Sequence, residues 1–287
     1  MPDAGFEGLL RGLELKSLAD AAFRAETGAA PERGRGRLFG GLVAAQCALA
    51  ASRTVPDGRH LHSLHAYFLR AGRPGPPLDL AVETLRDGGS YSARFVRARQ
   101  GADIIFVASV SFCVEEEGIS HQGQAPEAPP PEGLLDRDAE RERLLGSRSA
   151  NRGIEVRMCE PAPFAEGGST TLVQRNWIRA LGELPDDAAI HDAVMVYISD
   201  TAFMSTVNRR HPVPWPDRIA ASLDHSIWIH RPPRIEGWHL FVSDSPAAHA
   251  GRGLAAGAIY DEAGQLVASV AQEAMIRRRR PNASENA

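Results

Sequence analysis

The chain has 287 residues, of which 43% are hydrophobic and 24% charged, and it carries a net charge of −4. That is the composition of a globular protein with room for two domains of ordinary size. The acidic balance argues against a general nucleic-acid binder, and no apolar stretch of about 18 residues offers a membrane span.

The N-terminal Met1-Pro2-Asp3-Ala4-Gly5-Phe6-Glu7 has no basic segment followed by an apolar run, so no secretory signal is expected. Leu42 to Ala51 is apolar on nearly every face, with Gln46 its one strongly polar member, and predicts a helix buried all round. Gly40 and Gly41 at its start allow a backbone or a ligand to approach the helix N-terminus. Four strands are predicted next, His60 to Arg70, Leu78 to Arg86, Tyr91 to Arg99 and Ile104 to Val114. Asp87-Gly88-Gly89 and Gln100-Gly101-Ala102-Asp103 serve as hairpin turns. Glu115 to Glu132 turns acidic and then Pro-rich, as a linker does, and Asp136 to Arg148 is a charged surface helix.

The second half repeats the order. Gly153 to Pro161 and Thr170 to Leu181 read as strands, and Asp186-Asp187 caps a long helix from Ala188 to Met204. Arg218 to Ile229, Trp238 to Ser243, Gly253 to Tyr260 and Leu266 to Arg277 read as strands, with Asp261-Glu262-Ala263-Gly264 as the last turn. Val-Ala-Ser-Val occurs at Val107 to Val110 and again at Val267 to Val270. Each copy follows a His-aromatic strand, Leu61 to Arg70 in the first half and Ala221 to Pro232 in the second. An internal duplication of a helix followed by antiparallel strands is therefore expected, with an α+β fold. The expected domains are residues 1–116, a linker and surface helix over 117–150, and 151–287.

Three residues of the second half stand out chemically. Asp200 is a carboxylate in an otherwise apolar helix, where it must be paired or functional. Ser222 precedes Asp224 by two residues and so shares its face on a regular strand. Gln272 is a polar residue in an apolar closing strand, where the first half has Ser111 or Phe112; nothing there matches Asp200. Asp224 is the alternative acid, and a structural role for each residue remains open. His62, His65, His225 and His230 lie on strands without metal-ligand spacing, and no cysteine accompanies them, so no metal site is expected. Cys47, Cys113 and Cys159 are widely spaced in apolar settings, which predicts free thiols and a reducing, cytoplasmic location. No Gly-x-Ser-x-Gly, P-loop or dinucleotide fingerprint is present.

Taken in order, five phrases resemble the acyl-CoA thioesterase II (TesB-like) family. They are Arg37-Leu38-Phe39-Gly40-Gly41, His62 to Arg70, Val82 to Gly88, Asp224 to Pro232 and Leu266 to Glu273. The resemblance implies a double hotdog, each half a helix wrapped by a curled antiparallel sheet. It also implies Asp200, Ser222 and Gln272 as the catalytic residues and Gly40, Gly41, Asp224 and Arg252 as substrate contacts. Acyl-CoA is the expected substrate, with no cofactor, and a homodimer or homotetramer the expected assembly. An enoyl-CoA hydratase using an Asp-His pair is the alternative, although Asp224 and His225 would face opposite ways. A non-catalytic acyl-CoA-binding module is a third reading.

Overall fold

The computed structural model describes residues 4–28, 36–146, 153–162, 171–201, 203–211 and 218–278. In chain order the elements are α1 (Ala4–Gly12), β1 (Leu15–Ala19), β2 (Ala22–Ala25), α2 (Gly40–Ser52), β3 (His60–Phe68), β4 (Leu78–Asp87), β5 (Tyr91–Gln100) and β6 (Asp103–Cys113). Then come β7 (Leu135–Asp136), α3 (Arg137–Leu145), β8 (Ile154–Met158), β9 (Gln174–Ala180), α4 (Ala188–Ser199) and α5 (Phe203–Arg209). The chain closes with β10 (Arg218–Ser222), β11 (Asp224–Ile229), β12 (His239–His249), β13 (Arg252–Tyr260) and β14 (Leu266–Arg278).

All strands join one 14-stranded sheet, ordered β1-β2-β4-β5-β6-β3-β11-β14-β13-β12-β9-β8-β7, with β10 also on β14. Every pairing is antiparallel, and β3 meets β11 at the middle, Leu64 opposite Ile227 and His65 opposite Ser226. Edge exposure explains the symmetry. Each half alone would leave its central strand with unpaired N–H and C=O groups, and the β3–β11 ladder satisfies both. The result is the double hotdog, with α2 and α4 side by side inside the curled sheet.

Those two helices are apolar all round because every side meets protein. From Val43 to Ala51 every residue of α2 is buried, and so is every residue of α4 from His191 to Ser199. They run antiparallel. The start of α2 lies at the end of α4, where a Cβ on Gly41 would come within 2.6 Å of the Tyr197 carbonyl. At the other end Arg53, which follows α2, pairs with Asp187, the N-cap of α4, at 2.8 Å. Gln46 is buried in α2 and donates to the carbonyls of Gly12 and Glu26 at 2.7 and 2.9 Å, fastening the N-terminal segment to the core.

Several boundaries differ from the sequence reading. The helix expected from Ala188 to Met204 is α4 and α5, and Asp200 is the C-cap of α4 with φ −84° and ψ 0° rather than an interior residue. The strand expected from Arg218 to Ile229 is broken at Leu223 into β10 and β11. The strand expected to end at Ser243 runs on to His249, then turns through Ala250 and Gly251, both at positive φ (50° and 76°). The helix α1 and the strands β1 and β2 were not anticipated. The segment 115–132 is extended, as its prolines predict, and is bound to the second half: Gln122 bonds Gly264 and Leu266, and Trp177 donates to the Pro129 carbonyl at 2.8 Å. Arg148, Thr170, Arg279 and Arg280 lie outside the described residues. Of the cysteines, Cys47 is buried while Cys113 and Cys159 are partly exposed; all three are free thiols, and burial pushes each of them up. Among the described residues no helix is long and apolar enough to cross a membrane.

Candidate active site

A cavity of about 620 Å³ opens where the start of α2 faces the end of α4. The first half lines it with Leu38, Phe39, Gly40, Val43, Phe68 and Phe106. The second half contributes Asp200, Met204, Ser222 and Met275, and five arginines, Arg37, Arg70, Arg137, Arg141 and Arg209, also face it. The lining is thus an apolar channel with cationic groups along it, as suits a ligand with an apolar and an anionic part.

The helix geometry decides the electrostatics. The first N–H groups of α2 have no acceptor within the helix, and Phe39 at the N-cap offers no side-chain oxygen to them. The helix dipole adds partial positive charge at the same point. Asp200 is brought there by the end of α4, so that its Oδ2 lies within 2.9 Å of where a Cβ on Gly40 would sit. Gly40 is therefore small because the carboxylate and the Phe68 ring occupy that space; the same test gives 2.7 Å to Phe68 Cε1. Gly41 faces the other way, against Phe39 and α4, and is a packing glycine.

Ser222 reaches the cavity because of a bulge. Between the pairs Ser222–Ala274 and Ser226–Ala271, the β10–β11 side has one residue more than β14. The extra residue turns both Ser222 and His225 toward the core side, where Gln272 meets them. Gln272 Nε2 donates to Ser222 Oγ at 2.8 Å, and Gln272 Oε1 lies 2.6 Å from His225 Nδ1. Gln272 is buried behind Ser222 and is not itself part of the lining.

The bulge also accounts for Asp224. It leaves the Glu273 N–H without a strand carbonyl, and Asp224 Oδ1 accepts that N–H at 2.7 Å. Asp224 therefore does not share the face of Ser222, as regular alternation had suggested, and it does not line the cavity. Arg252 is also outside it, paired with Glu273 at 3.1 Å on the exposed hairpin of β13 and β14. Asp224 and His225 point to opposite sides, so the acid–imidazole pair of a hydratase is not formed.

His225, considered from the sequence as a strand histidine and in the alternative Asp-His pair, is a core residue joined to Gln272. It is fully buried and joins Gln272 to Ser199, whose Oγ lies 2.8 Å from His225 Nε2. The signal was present in the sequence, since the alternation of Ile227 and Ile229 places His225 on the inner face with them. Of the other histidines considered, His65 and His230 are exposed and His62 is half-buried: His62 meets Ser111, His65 meets Ser226 and the Trp228 ring, and His230 meets Ser269.

Comparison with known proteins bears on the chain as a whole. A model of the acyl-CoA thioesterase N-terminal domain matches residues 30–113, and one of the C-terminal domain matches residues 124–276. Acyl-coenzyme A thioesterase 8 of Mus musculus is 36% identical over 266 residues, covering 87% of this chain and 83% of its own. Acyl-CoA thioesterase 2 of Haemophilus influenzae is 35% identical over 279 residues, 94% of this chain and 96% of its own. The crystal structure of the acyl-CoA thioesterase II TesB2 from Mycobacterium marinum superposes with a TM-score of 0.79 at 34% identity, covering 96% of this chain and 98% of that one. With both halves matched in order over most of its length, the chain belongs to the acyl-CoA thioesterase family.

Proposed function

We propose that the protein hydrolyses acyl-CoA to a free carboxylic acid and CoA by direct attack of water, with Asp200 as general base. The observation that carries this reading is the placement of Asp200 and Ser222 on one cavity, beside the uncapped start of α2. A thioester carbonyl is electrophilic enough for oriented water to attack it. Asp200 takes the water's proton, and Ser222, held by Gln272, fixes the water's direction. The oxyanion of the tetrahedral intermediate is stabilised by N–H groups at the start of α2 and by its dipole. That placement serves both charges in turn: the same positive helix end that favours the Asp200 carboxylate is available to the oxyanion once the carboxylate has been neutralised by the proton. The intermediate then expels the CoA thiolate. Ser222 is an orienting group here, since its oxygen accepts from an amide and no imidazole lies next to it in the bonded line. The arginines of the lining suit the phosphates of CoA, and the apolar walls suit the acyl chain.

The test is release of free CoA, read with a thiol reagent, from a series of saturated acyl-CoAs. Asp200→Asn should lower kcat about 10²–10⁴-fold while the protein stays folded. Near-normal turnover by folded Asp200→Asn would refute the assignment of the base. Loss of enoyl-CoA absorbance without thiol release would refute the hydrolase reading itself.

A further inference from the structure

Behind Ser222 a line of polar side chains runs into the core. Gln272 from β14, His225 from β11 and Ser199 from α4 follow one another at 2.6 and 2.8 Å. Ser199 Oγ also lies 2.8 Å from the Val196 carbonyl. Gln272 is 2% exposed, and His225 and Ser199 are 0% exposed. Leaving one such group unpaired would cost about 1–3 kcal/mol, so the line must close at every step.

Proton counting restricts how it can close. A carboxamide donates at one end and only accepts at the other, and a neutral imidazole carries one N–H. Burial, the largest influence, lowers His225 below its ordinary value, against the opposing pull of Asp200, the Gln272 bond and Asp224, so the ring is neutral near pH 7. Two alignments then satisfy the line. In one, His225 Nδ1–H donates to Gln272 Oε1, the amide N–H donates to Ser222, and Ser199 gives its single proton to Nε2 instead of to the Val196 carbonyl. In the other every bond is reversed, and the Ser222 proton is consumed by Gln272. The two differ at the cavity: the first leaves the Ser222 hydroxyl free to turn toward a bound water, and the second does not. The structure places Gln272 Nε2 toward Ser222 Oγ and Oε1 toward His225 Nδ1, which is the amide orientation of the first alignment.

We propose that His225 is a positioning residue of the thioester-cleaving site, whose Nδ1–H holds the Gln272 carboxamide with its N–H toward Ser222, while the Ser199 hydroxyl holds the imidazole in that tautomer. The proposal rests on the reading of Ser222 and Gln272 as the groups that orient water.

The experiment is a double-mutant cycle. kcat and KM for a saturated medium-chain acyl-CoA are measured for His225→Leu, His225→Asn, Gln272→Ala and the double variant His225→Leu/Gln272→Ala. Misdirection of one orienting group predicts a kcat loss of about 10–100-fold in His225→Leu with KM within about threefold. His225→Asn can place an amide N–H near the lost Nδ1–H and should recover most of the loss. In the Gln272→Ala background, His225→Leu should change kcat by less than about threefold, because nothing remains for it to orient. Full, additive losses in both backgrounds would overturn the proposal and leave the roles of Ser222 and Gln272 intact. Normal kcat in Gln272→Ala would instead overturn the reading on which the proposal rests. Should His225→Leu fail to fold, the wild-type tautomer decides: imidazole ¹⁵N shifts must show the proton on Nδ1, and a proton on Nε2 refutes the proposal.

Discussion

Asp192→Asn should make the protein more stable, and more so as pH rises. Asp192 lies on α4, is 6% exposed, and accepts the Leu61 N–H at 3.3 Å. Burial pushes its carboxyl from the ordinary 3.8 up to about 7; Asp187 adds to the rise and the Leu61 bond opposes it. The sign follows from proton uptake. Below about pH 4 the folded and unfolded chains both hold this proton. Between pH 4 and 7 only the folded chain does, so folding loses stability as pH rises through that window. Above the window the cost levels off at about 4 kcal/mol, the free-energy equivalent of the rise. Asn keeps an oxygen for Leu61 and carries no charge, but it brings an amide N–H that must find a partner, at about 1–3 kcal/mol if it does not. The net expectation is about 1–3 kcal/mol of stabilisation at pH 8, several degrees in Tm, and no gain at pH 4. Thermal melts of both proteins at pH 4, 6 and 8 measure it. A variant no more stable than wild type at pH 8, or an offset that does not change with pH, would refute the reasoning. Asp192 does not line the cavity, so kcat at pH 8 should stay within about twofold of wild type.

Three further outcomes are expected. Ser222→Thr keeps the oxygen that meets Gln272 and should retain most of kcat, whereas Ser222→Ala should lose about tenfold or more; an acyl group trapped on Ser222 in mass spectra would contradict direct water attack. Gly40→Ala would put a methyl 2.9 Å from Asp200 Oδ2 and 2.7 Å from Phe68 Cε1, so kcat should fall at least tenfold with little change in Tm, and unchanged kcat would show that the carboxylate position does not matter. The protein should form a homodimer or homotetramer, and a light-scattering mass near the chain's own 30.9 kDa would exclude both.

The parts of this fold that were legible in the sequence are those with a period. The repeated Val-Ala-Ser-Val falls on β6 and β14, the two strands beside the central β3–β11 pair, which is why two distant segments of one chain could announce a duplication. Asp200 and Gln272 were visible as polar interruptions of apolar runs. The helix α1 was missed although Phe6, Leu9, Leu10 and Leu13 recur at helical spacing, whereas β1 has no alternation to read, since four of its five residues are exposed. The bulge at Leu223 left no such trace. An added residue in a strand reverses every inside–outside assignment beyond it, and this alone moved Asp224 from the cavity to the Glu273 N–H and hid the link between His225 and Gln272.

Duplication also explains why one half seemed to lack the chemistry of the other. Because α2 and α4 are antiparallel neighbours, the pair has two junctions, each joining the start of one helix to the end of the other. At one, the end of α4 carries Asp200 and the start of α2 is Gly40, small and without a side-chain cap, so a carboxylate and a helix start meet at a cavity. At the other, the residue after α2 is Arg53 and the N-cap of α4 is Asp187. The Asp187 side chain accepts from Ala189 at 3.0 Å and meets Arg53 at 2.8 Å. Nearby, the buried Arg94 binds the Thr54 carbonyl and hydroxyl beyond the end of α2. Charge at this second junction is matched and its helix end is capped, so it holds neither a poised carboxylate nor a free set of donors. The counterpart of Asp200 is thus an arginine at the end of α2, and the same architecture yields a carboxylate on a cavity at one junction and an ion pair at the other.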